Sequence, residues 1–258
     1  MSGIGRSALV VGFSLMATAC GKKGPLIYPD MLVPAAPSAV TVLQSGAAVK
    51  ISFAIPGRDR AGRPVHDVAG VKISRKAAEA EQKKQCRSCM SDYSAFRTLY
   101  LDRLPTNTER SGSVLLLLDG DVSEGYSYSY SLVPFTAGGV EGAAATTAAV
   151  LVATPLPAPL LKIESLPTEL RLQAAPAPLA MVSGELLGYN LYRWSTVNAR
   201  SYLPLNREPL KSGDYVDSGL ERGVLYSYSA RVLYKRSSGD VAESAESNVV
   251  TGKLADDE

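Results

Sequence analysis

The sequence predicts an all-β chain: two β-sandwiches in tandem, preceded by an export signal. Three observations carry that prediction. Apolar and aromatic residues alternate with polar ones through short runs such as "AVTVLQ" and "YSYSYS", which is the strand period. Gly and Pro, 22 and 16 of them in 258 residues, punctuate those runs as turns do. Two stretches separated by about 100 residues spell one pattern twice, the mark of an internal repeat.

Composition narrows the function before any motif is read. A formal charge of +2 gives no strong pull toward nucleic acid, and none is expected as a partner. The one histidine, His66, cannot build a multi-histidine metal site and leaves a single candidate for a serine–histidine base. It sits in the charged loop "GRDRAGRPVHD" with Arg58, Asp59, Arg60, Arg63 and Asp67, all read as solvated. No P-loop, dinucleotide fingerprint or HExxH occurs. The expectation is a non-enzymatic protein with no metal and no cofactor.

The first element is the segment 1–19. Met1 to Arg6 is short with one positive charge, and Ser7 to Ala19 is apolar or small throughout. That run is too short to cross a hydrocarbon core of ~30 Å as a helix, so it reads as a signal peptide. Ala17-Thr18-Ala19 could serve as an ordinary cleavage site, but Cys20 follows directly. Small residues before a cysteine at this place resemble a bacterial lipobox, although Ala17 stands where that pattern prefers leucine. The resemblance implies a lipid on the Cys20 sulfur, cleavage just before it and an acylated new N-terminus. One chain binds a bilayer only reversibly, whereas two or three on one cysteine hold firmly.

The second element, 20–36, reads as a lipidated tether. "CGKKGPLIYPD" resembles the opening of LptM-type lipoproteins of Gram-negative bacteria over Cys20 to Pro29. Members of that family associate with the outer-membrane machine that inserts lipopolysaccharide, so the resemblance implies that machine as a partner. Residue by residue, Lys22 and Lys23 suit lipid phosphates, Gly24-Pro25 stops a helix, and Leu26 and Tyr28 suit headgroup depth. Gly21 rather than aspartate after the lipid cysteine resembles outer-membrane sorting, with the protein facing the periplasm. "PDMLVPAAP" reads as a stiff extended spacer.

The third element, 37–154, reads as the first sandwich. Its strands are drawn from "AVTVLQ", "VKISFAIP", "GVKISRK", "SVLLLLDGDVSEGYSYSYSLVPF" and "ATTAAVLVATP". An insert near 76–97, "RKAAEAEQKKQCRSCM" at its centre, has helix-favouring composition. Its Cys86 and Cys89 admit three readings: a local disulfide, half of a metal site, or a thiol–disulfide exchange pair. Lys83, Lys84 and Arg87 would stabilise a thiolate there.

A linker at 155–158 leads to the second sandwich, 159–253, and 254–258 reads as a frayed acidic tail. The second copy repeats the first. Gly70, Ile73 and Arg75 match Gly188, Leu191 and Arg193, and "DGDVSEGYSYSYS" aligns without a gap to "DSGLERGVLYSYS". Asp119 thus falls on Asp217, Gly125 on Gly223, Tyr128 on Tyr226 and Tyr130 on Tyr228. A repeat of about 100 residues with roughly seven short strands suggests an immunoglobulin-like sandwich. The D-x(5)-G-x-x-Y-x-Y run resembles the E–F corner of fibronectin type III domains, and "NVV" at 248–250 resembles their last strand. That resemblance implies Tyr128 and Tyr226 as corner tyrosines, each bonding to nearby backbone. Tyr130, Leu132, Tyr228, Ala230 and Val232 share one parity and should face inward. The family's second-strand tryptophan is replaced by Phe53 and Ala174, with Trp194 expected to fill part of that volume.

The functional expectation is a lipid-anchored envelope protein whose tandem domains bind a protein or glycan. The alternative is a periplasmic thiol–disulfide helper acting through Cys86 and Cys89.

Overall fold

The computed structural model describes residues 28–80, 93–176, 184–198 and 200–256. The first sandwich opens with β1 (Ser38–Ser45) and β2 (Ala48–Ala54), a hairpin closed at Ser45↔Ala48. It continues through β3 (Val68–Glu79), β4 (Ser94–Tyr100), β5 (Thr108–Ser111), β6 (Val114–Asp119) and β7 (Tyr126–Thr136). Two short strands, β8 (Ala145–Thr146) and β9 (Val150–Leu151), both pair with β7. One layer runs β1-β2-β6-β5 and the other β4-β3-β7 with β8 or β9 beyond. Side chains alternate across each strand, so Val49, Ile51 and Phe53 meet Val71, Ile73, Tyr130 and Leu132 in a closed core.

The second sandwich is built from β10 (Leu160–Ser165), β11 (Glu169–Ala175), β12 (Gly184–Ser195), β13 (Asp214–Ser218), β14 (Tyr226–Arg236), β15 (Val241–Glu243) and β16 (Val250–Gly252). The sheet β10-β11-β13 covers β12-β14, which also carries β15 and β16. Leu161, Leu170, Leu172, Leu191, Tyr228, Ala230 and Val232 fill the space between. Asn248 clips the two layers: its amide accepts from Leu161 N and donates to Leu161 O, both at 2.9 Å. Among the described residues nothing pairs with the outer edge of β13, whereas its counterpart β6 carries β5 there.

The sandwiches are not beads on a string. β15 pairs in parallel with β1, Gln44 opposite Ala242 and Ser45 opposite Glu243, and this joins both into one eight-stranded sheet. The pairing needs the tight β1–β2 turn. Gly46 sits there at φ +58, and its N–H bonds Glu243 O at 3.0 Å. A Cβ on it would lie 2.8 Å from Arg231 Nη1. The repeated glycines have a different reason. At Gly70 and Gly188 a Cβ would come 2.2 Å from Leu99 O and 2.8 Å from Leu210 O. Each copy therefore keeps a bare backbone where a neighbouring segment crosses the start of its third strand.

Five sequence expectations change at this level. Lys76 to Glu79 extend β3 rather than starting a helix, and 94–97 belong to β4. Lys76 to Glu79 pair opposite Ser129 to Tyr126, and a ladder of that kind overrides a weak intrinsic preference. The spacer at 29–37 is no free rod: Pro29–Met31 forms a 3-10 turn, and Ala35 N and Arg60 N bond Arg58 O and Val33 O. Leu156, in the expected linker, enters the second core and ties that segment to the second sandwich at one residue. Leu254 of the expected tail is buried, and Ala255 N bonds Leu166 O, which pins its start. Trp194 lies outside the second core, half-buried with the Arg200 guanidinium 4.9 Å from its ring centre.

Candidate functional site

Three sets of polar side chains are drawn together inside the fold, one within each sandwich and one between them. Within the first, Arg75 on β3 donates to both Asp119 carboxylate oxygens, at 3.2 and 2.9 Å, and Tyr130 donates to Oδ2 at 2.7 Å. The second reproduces it: Arg193 reaches Asp217 at 2.8 and 2.9 Å, and Tyr228 donates at 2.7 Å. Burial first, and then the hydrogen bond to the carboxylate, pushes both tyrosine hydroxyls well above their ordinary range. They stay protonated donors. The arrangement binds strand to strand and offers no nucleophile.

Beside each cluster stands a second tyrosine. Tyr128 Oη accepts the Ser123 N–H at 2.8 Å, and Tyr226 Oη accepts the Glu221 N–H at 3.0 Å. Each closes the bend just before its own strand, five residues upstream, under an arginine lying 5.5 or 5.8 Å from the ring centre. The fold is a pair of immunoglobulin-like sandwiches of the fibronectin type III kind. In solved structures, chicken CNTN1 FN1-FN3 domains match at 13% identity and a TM-score of 0.32, over 87% of this chain and 68% of that one. The chicken interferon gamma receptor alpha chain matches at 11% identity and a TM-score of 0.31, over 85% of this chain and 98% of that one. Overlaps this loose add nothing to the strand pairing itself. No family model and no curated protein matches the sequence.

The set between the sandwiches is the joint. Glu243 on β15 is 2% exposed and accepts from four side chains of both halves. Lys50 Nζ lies 2.6 Å from Oε2 and Ser45 Oγ 2.6 Å; Asn190 Nδ2 and Tyr192 Oη lie 2.7 Å from Oε1. Desolvation works to raise the Glu243 carboxyl, but Lys50 and the hydroxyl donors outweigh it and hold the group below its usual value. Lys50 also bonds Tyr192 Oη at 2.9 Å. At the rim Gln44 holds Ala153 through both ends of its amide, and Glu109 receives Ser201 Oγ and Tyr202 N. Sequence reading missed all of it. Lys50 and Glu243 look like ordinary surface charges, because each takes the outward parity of its strand beside the inward Val49, Ile51 and Ala242, and no local pattern marks what covers it.

The remaining sequence-predicted residues divide simply. Cys20, Lys22, Lys23, Gly24, Pro25 and Leu26 lie outside the described residues, as do Cys86 and Cys89. Tyr28 is the first described residue and is 59% exposed. In the His66 loop, Asp59 is buried rather than solvated. Desolvation opposes its charge, yet the Arg63 side chain and backbone, each at 2.8 Å, hold its carboxyl below the usual range. Among the described residues no group of His, Cys, Asp and Glu could hold a metal ion, and no helix is long and apolar enough to cross a membrane.

One open surface stands out on the second sandwich. The outward side chains of β10, β11 and β13, among them Lys162, Glu164, Arg171, Gln173, Asp214 and Val216, line a shallow depression of about 390 Å³. It carries both charge signs, with Val216 more than half exposed at its edge.

Proposed function

We propose that the protein is a lipid-anchored, non-enzymatic binding module of the bacterial envelope, held at the outer membrane through acyl chains on Cys20 and facing the periplasm. The observation that supports it most is the parallel β1–β15 pairing with its buried Lys50–Glu243 ion pair. That joint makes two sandwiches one stiff body, which suits a presenter of a surface at fixed reach rather than a flexible string. The outer face of β10–β11–β13 is the surface presented, since mixed charge around an apolar edge residue suits a protein partner. The Cys20–Pro29 resemblance makes the lipopolysaccharide inserter the first partner to seek.

The test has two arms. Mass spectrometry of the N-terminal peptide should find fatty acid on Cys20; a soluble, unacylated protein would refute the anchor. A photo-crosslinker in place of Val216 should capture a discrete envelope protein in cells, and Arg171→Glu should weaken that capture. Equal capture from a crosslinker at Ser52, a half-buried outward position of the first sandwich, or none from Val216, would refute the binding face.

A further inference from the structure

We infer that the tether end of the first sandwich is itself a lipid-contacting face, so that the domain rests on the bilayer rather than hanging from it. The inference rests on the lipid anchor proposed above. Four exposed large apolar side chains gather at that end: Tyr28, Leu32, Tyr100 and Val140. Leu32 and Val140 line one depression with Pro34 and His66. Tyr100 packs edge-on against Phe135, ring centres 5.6 Å apart, and Phe135 bridges to Glu141 beside Val140. Aromatic and aliphatic groups ringed by charge are the chemistry of a membrane interface.

The chain itself says which surface faces them. Residues from Met31 onward are tied to the domain: Ala61 N bonds Met31 O, Arg60 N bonds Val33 O, and Ala143 N bonds Pro34 O. Only the links from Cys20 to Tyr28 separate the lipid from this end. Eight residues reach at most about 28 Å when fully extended. The face can therefore never be far from the headgroups.

Three cations of this end are held by acids, Arg60 by Asp30, Arg63 by Asp59 and Lys72 by Glu141, whereas Arg58 donates to the Gly62 carbonyl. The contact made by Tyr28, Leu32, Tyr100 and Val140 is apolar, so zwitterionic lipid should suffice for it.

The acylated protein is placed in phosphatidylcholine nanodiscs with a benzophenone side chain at Val140, Tyr100 or Val216. Phospholipid adducts are expected at 140 and 100, at least about tenfold above 216, which lies on the second sandwich. Adducts no stronger at 140 than at 216 would overturn the inference while leaving the anchor reading intact, because fatty acid on Cys20 is measured separately. A second protein carries twenty extra Gly and Ser residues between Ile27 and Tyr28. A face with its own affinity keeps labelling at 140; labelling that falls to the level of 216 would show mere proximity and also overturn it.

Discussion

The buried ion pair at the joint invites a double-mutant cycle. Glu243→Leu leaves Lys50, 8% exposed, with only Tyr192 as acceptor, and it strips Ser45 and Asn190 of theirs. Removing one partner of a buried pair costs about 3–5 kcal/mol. Lys50→Met leaves Glu243 with three neutral donors and should cost about 3 kcal/mol, the low end of that range. In the double variant no charge is stranded. What remains is the loss of acceptor for the hydroxyl and amide donors, about 1–3 kcal/mol for each group left unpaired. We expect the double variant to cost about 3–4 kcal/mol against a sum near 7, a coupling of roughly 3 kcal/mol. Urea unfolding read by the fluorescence of Trp194, the one tryptophan, measures it directly. A coupling below about 1 kcal/mol would mean that the pair is not held as described.

The joint should also titrate. The folded Glu243 carboxyl lies below its ordinary value of 4.5, so its stabilisation is complete above that value and fades as pH falls through the lower folded one. The stability gap between the natural chain and Glu243→Gln, followed by urea titration, should therefore narrow in acid and stay flat near neutrality. The paired clusters predict matching losses: Asp119→Asn and Asp217→Asn should each cost about 2–3 kcal/mol, since an arginine and a tyrosine lose a charged acceptor. Being in separate cores they should add within about 0.5 kcal/mol in thermal unfolding. Tyr128→Phe and Tyr226→Phe each remove one acceptor for a backbone N–H, and a loss of about 1 kcal/mol apiece is expected.

Much of this architecture could be read from residue order. The inward parity of Tyr130, Leu132, Tyr228, Ala230 and Val232 holds at every position, because strand period leaves only two faces to choose between. The repeat already set Asp119 and Tyr130 over Asp217 and Tyr228 without a gap, and Arg75 over Arg193 in a separate match, though not their mutual bonding. What stayed hidden depends on distant segments. Glu243 meets Ser45 across 198 positions, and no local pattern marks such a meeting. The helix-favouring start of the insert misled for the same reason: β7 offered Lys76 to Glu79 a ladder that composition does not reveal. Pro-rich 29–37 suggested a spacer, yet its carbonyls find donors in the 58–62 loop.

The parallel seam also orders events during synthesis. β1 and Lys50 leave the ribosome nearly two hundred residues ahead of β15 and Glu243, which complete them. Until the last strands arrive, the first half holds a bare strand margin and a cation with no counter-charge, the kind of exposure that favours aggregation and slow maturation. Chains truncated before residue 241 should depend most on holding chaperones.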